Sequence, residues 1–565
     1  MNDSNSSRSA ISFALFLVAL VLLMRLSLLS TPDLIDSTEG RYASVSKIMF
    51  ESGDLVTPWI NRSGVLMPYL GKPPLHFWMT DLSFTAFGLG NWAARLPSFI
   101  SGVGTVLITF LAAYALFDLA VAAATLLILT SSLLFFFLSG ACVLDVTLTF
   151  AITCATAGFV LCPGSRLWGF VCFGGLGLGM LAKGPVAIVL FGGIALPWSL
   201  LRWRQLRRLP EQLTALPWLY GMALFLLLTL PWYFVQEYQQ AGFLRYFFIN
   251  ENLLRYVSAE YGDKYGAGHI EPRGMSWIML TWGFFPWSLI ALAGALWGLR
   301  PRTATLARDA LRSSPELCFV LAWGFACPTF FTFAKQLTAT YLLPALPGLS
   351  IALGAILVGQ LSSTQGFRER MIKTSKFVTP FFGGMLLIGS LAGIIRFQTP
   401  IIVGLIAFSV GALLTWLTYR ERANLVYASR DASPLSQIVR VSGVTAVAFG
   451  LAILCYGPYA SVDRSSATIL AQAREYAPEK HLLTVGFAYD YPFSSNFYDT
   501  IPGQRPIAIV KIEPEELGTK KVDLLVVRVR DRQKLLDGEV GWVELVTIGR
   551  WALFEMPTSR ISSNH

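Results

Sequence analysis

Apolar stretches long enough to cross a bilayer recur along this chain, and no other feature constrains its fold as strongly. Thirteen are legible, at roughly 10–30, 92–117, 120–140, 143–162, 166–182, 184–201, 215–235, 275–298, 316–334, 339–360, 377–396, 399–418 and 441–460. A helical span needs about 20 mostly apolar residues. Internal Pro and Gly in several of them are compatible with packed membrane helices, because neighbouring helices satisfy the freed backbone groups. Only 14% of the 565 residues are charged, against about 25% in soluble domains. The expected class is a multi-pass membrane all-α bundle. No small-residue cleavage site follows the first stretch, so Ile11–Ser30 reads as a retained helix.

The loops divide into two kinds. With the N-terminus inside, the inner loops are 202–210 (RWRQLRRLP), 300–312 (RPRTATLARDALR), 367–376 (FRERMIKTSK) and 419–440, each rich in Lys and Arg. Excess basic residues mark cytoplasmic loops. The net charge of +10 is therefore largely a topology signal, and nucleic acid is not an expected partner. The opposite loops, 31–91, 140–145, 182–185, 236–274 and 334–340, carry aromatics and isolated charges of both signs. They are expected to face the periplasm of a bacterial cell, as is the segment after residue 460. The seven cysteines lie in or beside apolar runs with no CxxC, which suggests neither a disulfide framework nor a metal site.

The first outer loop is far longer than a connector needs to be. Two short helices are expected in it. One runs from Asp36 to Ser52, with Gly53 as its stop. The other follows Pro73-Pro74 and places Leu75, Trp78, Met79, Leu82 and Ala86 on one apolar face suited to the membrane interface. The last hundred residues change character. A helical pattern over 465–476 precedes alternating stretches at 481–487, 506–512, 522–530 and 543–549, which suggests a small α/β domain of four or so strands. The expected division is a membrane domain over 1–460, with the loop helices in 31–91, and a periplasmic domain over 461–565.

Charges at the outer ends of spans are the candidate functional residues. Asp36 with Glu39 has the spacing of a capping box; either acid could also serve as a general base. Asp145 lies near the outer end of a span, where an acid is costly, and its structural alternative is pairing with Arg95 or Lys183. Arg25 and Arg95, near span ends, read as snorkelling side chains. Lys72 precedes two prolines that restrict its backbone. Lys183 sits at a Gly-Pro break, Lys335 and Tyr341 at a span junction, and Arg255 on the long outer loop. Each alone could be an interfacial anchor. Together, converging cations suit a phosphate or pyrophosphate.

The set DSTEGRYASVSKIMFESGDLVTPWIN, YLGKPPLHFW, ARLPS, LAKGPVA and AKQLTATYLLPALP resembles the lipid-linked-sugar glycosyltransferases of the GT-C class, above all the lipid A 4-amino-4-deoxy-L-arabinose transferases and the protein O-mannosyltransferases. The phrase AYDYPFSSNFY in the tail is similar to the aminoarabinose group. The resemblance implies a GT-C bundle and transfer of a sugar from a polyprenyl (undecaprenyl) monophosphate to a periplasm-facing acceptor such as lipid A, a glycan or a protein, with inversion at the anomeric carbon. It implies Glu39 or Asp36 and Asp145 as catalytic acids, Lys72, Arg255 and Tyr341 on the donor phosphate, and Arg41 beside the catalytic acid. Lys183 and Lys335 join the substrate-binding set. Two departures stand out. Thr38 replaces the first acid of the family's Asp-Glu-x-Arg-Tyr, and Gly71 replaces the Glu before Lys-Pro-Pro. The second argues against a metal beside the phosphate, so no cofactor is expected; a divalent metal is possible but unsupported. A polyprenyl-lipid transporter or flippase, and a membrane assembly protein, are the other classes considered. Transporters often show internal repeats, and none is evident.

Overall fold

The computed structural model describes residues 2–254, 269–298, 314–359, 377–396, 401–424, 434–478, 481–500, 503–517, 519–537 and 542–555. Arg255 lies outside them. The chain divides into two compact units. One comprises Met1–Ser27, Leu70–Leu75 and Ser98–Ala452; the other comprises Leu28–Tyr69, His76–Pro97 and Ile453–His565.

Among the described residues, eight helices are long and apolar enough to cross a membrane, or nine with one bent pair counted as a span. The first nine helices are α1 (Asn2–Ser27), α2 (Thr38–Ser52), α3 (Leu75–Phe87), α4 (Asn91–Leu116), α5 (Leu119–Thr130), α6 (Leu133–Leu138), α7 (Leu144–Leu161), α8 (Arg166–Lys183) and α9 (Val186–Leu206). Two expected spans are not continuous. The stretch at 120–140 breaks into α5 and α6 at Ser131-Ser132, and the Ser131 hydroxyl turns back to the Leu127 carbonyl. The stretch at 275–298 breaks before Pro286 into helices Met275–Gly283 and Trp287–Gly298, bent by 119°. Proline supplies no N–H and clashes with the preceding turn.

The bundle is built round α7. Its apolar window is 89% buried, whereas that of the Trp218–Gln239 helix is 22% buried. Leu219 and Leu227 of that peripheral helix are more than 70% exposed, as bilayer-facing side chains are. α7 and α8 pack closely because glycine lies at their crossing. A Cβ on Gly175 would stand 2.6 Å from the Ala151 carbonyl oxygen and the Ala155 nitrogen, and one on Gly158 would stand 2.6 Å from the Trp168 carbonyl oxygen. Small residues that let backbones approach are a principal source of helix association in lipid. α9, at 21 residues, is about 30 Å long, the thickness of the hydrocarbon core. The Lys183-Gly184 break and the basic run RWRQLRR therefore lie at opposite membrane faces.

The second unit contains α2, a hairpin, most of α3 and the C-terminal sheet. The hairpin pairs β1 (Trp59–Arg62) with β2 (Val65–Pro68). Its two-residue turn, Ser63-Gly64, has both φ angles positive, as the turn type that suits a twisted hairpin requires. The sheet holds β3 (Leu483–Ala488), β4 (Ile507–Ile512), β5 (Leu524–Arg528), β6 (Val543–Ile548) and β7 (Trp551–Glu555), in the order β4-β3-β5-β7-β6. β3 is parallel to β4 and β5, and the β5–β7 and β6–β7 pairs are antiparallel. The helix Ala467–Tyr476 and four of the strands fall where the sequence places them. β7 escapes the reading because Trp551, Ala552, Leu553 and Phe554 are all buried and show no alternation.

Changing Gly175 to Ala should lower the detergent melting temperature by several degrees, since overpacking costs about 1–3 kcal/mol. Gly174→Ala should leave it within a degree, because the nearest atom to its Cβ lies 3.9 Å away. Thermal melts of the two variants check this.

Candidate active site

In the first unit, the N-terminal end of α7 and the C-terminal end of α8 meet. α7 begins with Asp145 in its first turn and α8 ends with Lys183. The Lys183 ammonium donates to the Asp145 carboxylate, and both side chains are less than a tenth exposed. The same ammonium lies 3.6 Å from the centre of the Tyr341 ring. Of the two partners the sequence offers Asp145, Lys183 is the one that forms. Tyr341 stands on the 3-10 turn Ala339–Ala345, and its carbonyl accepts from the Cys327 thiol.

Gly184 ends α8 at φ +89°, and its missing Cβ makes room for the Phe247 ring, 2.5 Å from where that atom would be. Phe247 is the second residue of a nine-residue π-helix, Tyr246–Leu254, a rare element often found at functional sites. Four residues further along it comes Glu251, which is absent from the candidates the sequence suggests. Glu251 forms an ion pair with Lys72. Both residues are buried, at 6% and 8% exposure, and Lys72 donates also to the Gly71 carbonyl. The signal for Glu251 is its four-residue spacing from Arg255 in ENLLRY. Lys335 is half-buried, and its carbonyl accepts from the Glu271 N–H.

An apolar cavity of about 470 Å³ lies in the same unit, lined by residues such as Trp277, Phe284, Ala291, Phe325 and Leu353. The bent helix pair forms one of its walls.

In the second unit the expected capping box does not form. Ser37 occupies the cap position of α2 and makes no side-chain cap bond. Glu39 turns instead to Arg95, whose Nε and Nη2 donate to its two carboxylate oxygens at 2.9 and 3.0 Å. The Ile35 N–H donates to the same carboxylate. Arg95 also donates to the carbonyls of Leu29, Pro32 and Asp33. It is 2% exposed, a buried clamp on the chain entering α2 and not a snorkelling side chain. Arg25 departs from expectation similarly: it is 5% exposed and donates to the carbonyls of Phe136 and Phe137. Nothing in the local sequence of either arginine reveals the distant carbonyls that hold it.

Asp36 has a different environment. It accepts from the N–H and the hydroxyl of Ser494, in the AYDYPFSSNFY phrase, and a Cβ on Gly40 would collide with it. It borders a cavity of about 300 Å³ that is also lined by Asp463, Arg464, Asp490, Arg528 and Arg550. Burial pushes its carboxyl up to about 7, against the pull of the Ser494 bonds and Arg528. Arg41 lies over the rings of Tyr42 and Phe493.

The chain is a multi-pass membrane protein with a GT-C fold. The solved structure of ArnT from Cupriavidus metallidurans bound to undecaprenyl phosphate superposes with a TM-score of 0.73, covering 97% of this chain and 98% of that one at 21% identity. The Archaeoglobus fulgidus oligosaccharyltransferase in its apo form gives a TM-score of 0.50 at 12% identity, covering 98% of this chain and 75% of that one. The family profile for Dolichyl-phosphate-mannose-protein mannosyltransferase matches residues 10–247. In sequence the chain is similar to the undecaprenyl phosphate-alpha-4-amino-4-deoxy-L-arabinose arabinosyl transferase of Yersinia pestis (strain Pestoides F), 28% identical over 383 residues, 66% of this chain and 62% of that protein. The Pectobacterium carotovorum protein of the same name is 28% identical over 391 residues, 67% of this chain and 64% of that protein. The chain thus aligns with less than two thirds of the length of these relatives.

Two outcomes follow from the second unit. Arg95→Met leaves Glu39 buried without its guanidinium, a loss of about 3–5 kcal/mol, and should lower the melting temperature markedly; Arg95→Met with Glu39→Gln should recover part of it. The folded-state pKa of Asp36 lies above its unfolded value, so the stability its neutral form contributes is complete below pH 4 and is lost as pH rises through 7. Melting temperatures measured from pH 4 to pH 8 should therefore fall less steeply in Asp36→Asn than in the unaltered protein.

Proposed function

We propose that this protein is an inner-membrane glycosyltransferase that transfers a sugar, 4-amino-4-deoxy-L-arabinose in the first instance, from undecaprenyl phosphate to the lipid A headgroup. The observation that carries the reading is the set of buried lysines, Lys183 and Lys72, held by acids at one end of the spans in a fold shared with an ArnT bound to undecaprenyl phosphate. We assign that end to the periplasm; the reading is supported by the length of α9, which separates it from the basic run at 202–208, and by the tendency of basic loops to stay in the cytoplasm.

In this reading Lys72, Lys183 and Tyr341 receive the donor phosphate, together with Arg255 and Lys335. The apolar cavity beside the bent helix pair takes part of the polyprenyl tail. Asp145 fixes the Lys183 ammonium. Asp36 is the acid that serves the acceptor, by taking the proton of a hydroxyl or by orienting an acceptor phosphate that is already anionic. Its carboxyl titrates near the working pH, where a general base is most effective. Glu39 is committed to Arg95 and holds the start of α2, while Arg41 lies over the rings of Tyr42 and Phe493. The acceptor oxygen attacks the anomeric carbon from the face opposite the phosphate, and the carbon–oxygen bond to the donor phosphate breaks with inversion. The electron pair leaves on undecaprenyl phosphate. Fixed cations stabilise that leaving charge, usually the largest contribution in a dry site.

A second reading, transfer of a hexose to a protein or glycan acceptor, is favoured by the profile match over 10–247.

The test is purified protein in proteoliposomes with undecaprenyl-phosphate-linked aminoarabinose and lipid A, read by mass spectrometry. Modified lipid A with released undecaprenyl phosphate is the expected product; sugar appearing only on protein or glycan selects the second reading. Asp36→Asn should reduce turnover by roughly 10²-fold or more, while Glu39→Gln should act mainly through stability. Equal turnover in Asp36→Asn and the unaltered protein removes the assignment of the base.

A further inference from the structure

The Lys72–Glu251 pair stands apart from the other buried pairs in where its acid sits. Asp145 and Glu39 belong to the first turns of regular α-helices, and each is anchored to its place by that helix. Glu251 is the sixth residue of a π-helix, a rare element that is frequent at functional sites. Phe247, one turn earlier, packs against Tyr233 and Phe243 at centroid distances of 5.8 and 5.4 Å. One end of the element is thus fixed by aromatic packing, and Glu251 reaches the lysine from the other.

Lys72 itself has little freedom. Pro73 restricts its backbone, and Lys72 and Pro73 are both buried. An ammonium held this rigidly and shielded from water needs an anion beside it, since a buried charge without a partner is strongly destabilising. When a phosphate occupies the site, it supplies that anion. When none does, the chain must supply one itself.

We propose that Glu251 is a positioning residue that stands in for the donor phosphate: it neutralises and aims Lys72 in the unliganded protein and yields the ammonium when polyprenyl phosphate binds. The inference rests on the reading of Lys72 as a phosphate ligand and deepens it. The carboxylate and the phosphate compete for one cation, so Glu251 weakens donor binding and equally weakens the hold on polyprenyl phosphate after transfer. The same competition helps the product leave.

The experiment is equilibrium binding of undecaprenyl phosphate to the full-length protein in detergent, with steady-state kinetics on the same preparations. Glu251→Gln removes the competing charge and should bind undecaprenyl phosphate about tenfold more tightly, with KM and kcat falling together. Glu251→Asp, which shortens the reach by one methylene and keeps the charge, should bind a few-fold more tightly; it also serves if the Gln variant does not fold. A carboxylate with a purely structural role would not lower KM in either variant. Lys72→Ala separates the two levels of the argument. If it binds as tightly as the unaltered protein, the phosphate role of Lys72 falls and this inference with it. If Lys72→Ala binds more weakly while neither Glu251 variant binds more tightly than the unaltered protein, the inference alone is overturned.

Discussion

A charge withdrawn from water must find an opposite charge or a set of dipoles, and the organisation of this protein follows from how it meets that demand. Its described buried charges are not scattered. Lys183 has Asp145, Lys72 has Glu251, Arg95 has Glu39, and Lys47 has Asp499. Arg25 has the carbonyls that end α6. Removing one member of such a pair is far more costly than replacing both, so each pair fixes two distant stretches of chain. Lys183 and Asp145 register α8 against α7. Arg95 gathers four points between Leu29 and Glu39 and so sets the path of the chain into α2.

The same demand gives two neighbouring acids unlike partners. Glu39 has both oxygens occupied by one guanidinium. Asp36, three residues earlier, is buried against neutral donors from Ser494 and borders a cavity. Two acids that the sequence presents as alternatives are thus given opposite environments.

Much of this was legible beforehand for a simple reason: lipid imposes a local rule. A span must be apolar for about 20 residues whatever it packs against, so the helices around residues 10–30, 92–117, 143–162 and 184–201 could be placed without knowing their neighbours. The exposed face of α3 (Leu82 and Ala86 among it) was legible because period and chemistry agree, and four strands of the tail sheet because alternation marks a half-buried strand. The breaks at Ser131-Ser132 and Pro286 were not, because proline and serine are tolerated within continuous membrane helices too, and packing decides. The hairpin at Trp59–Pro68 had its sign in Ser63-Gly64, a pair too common to stand out alone.

What the sequence determined by itself is the membrane class and the inventory of charges held near the ends of spans, since each depends on residues close together along the chain. What the tertiary structure decided is who partners whom. Arg95 with Glu39, Asp36 with Ser494 and Lys72 with Glu251 join positions 56, 458 and 179 residues apart. Coulomb attraction and hydrogen bonding act over a few ångströms of space and are blind to separation along the chain, so only the folded helices could select among the partners the sequence supplied.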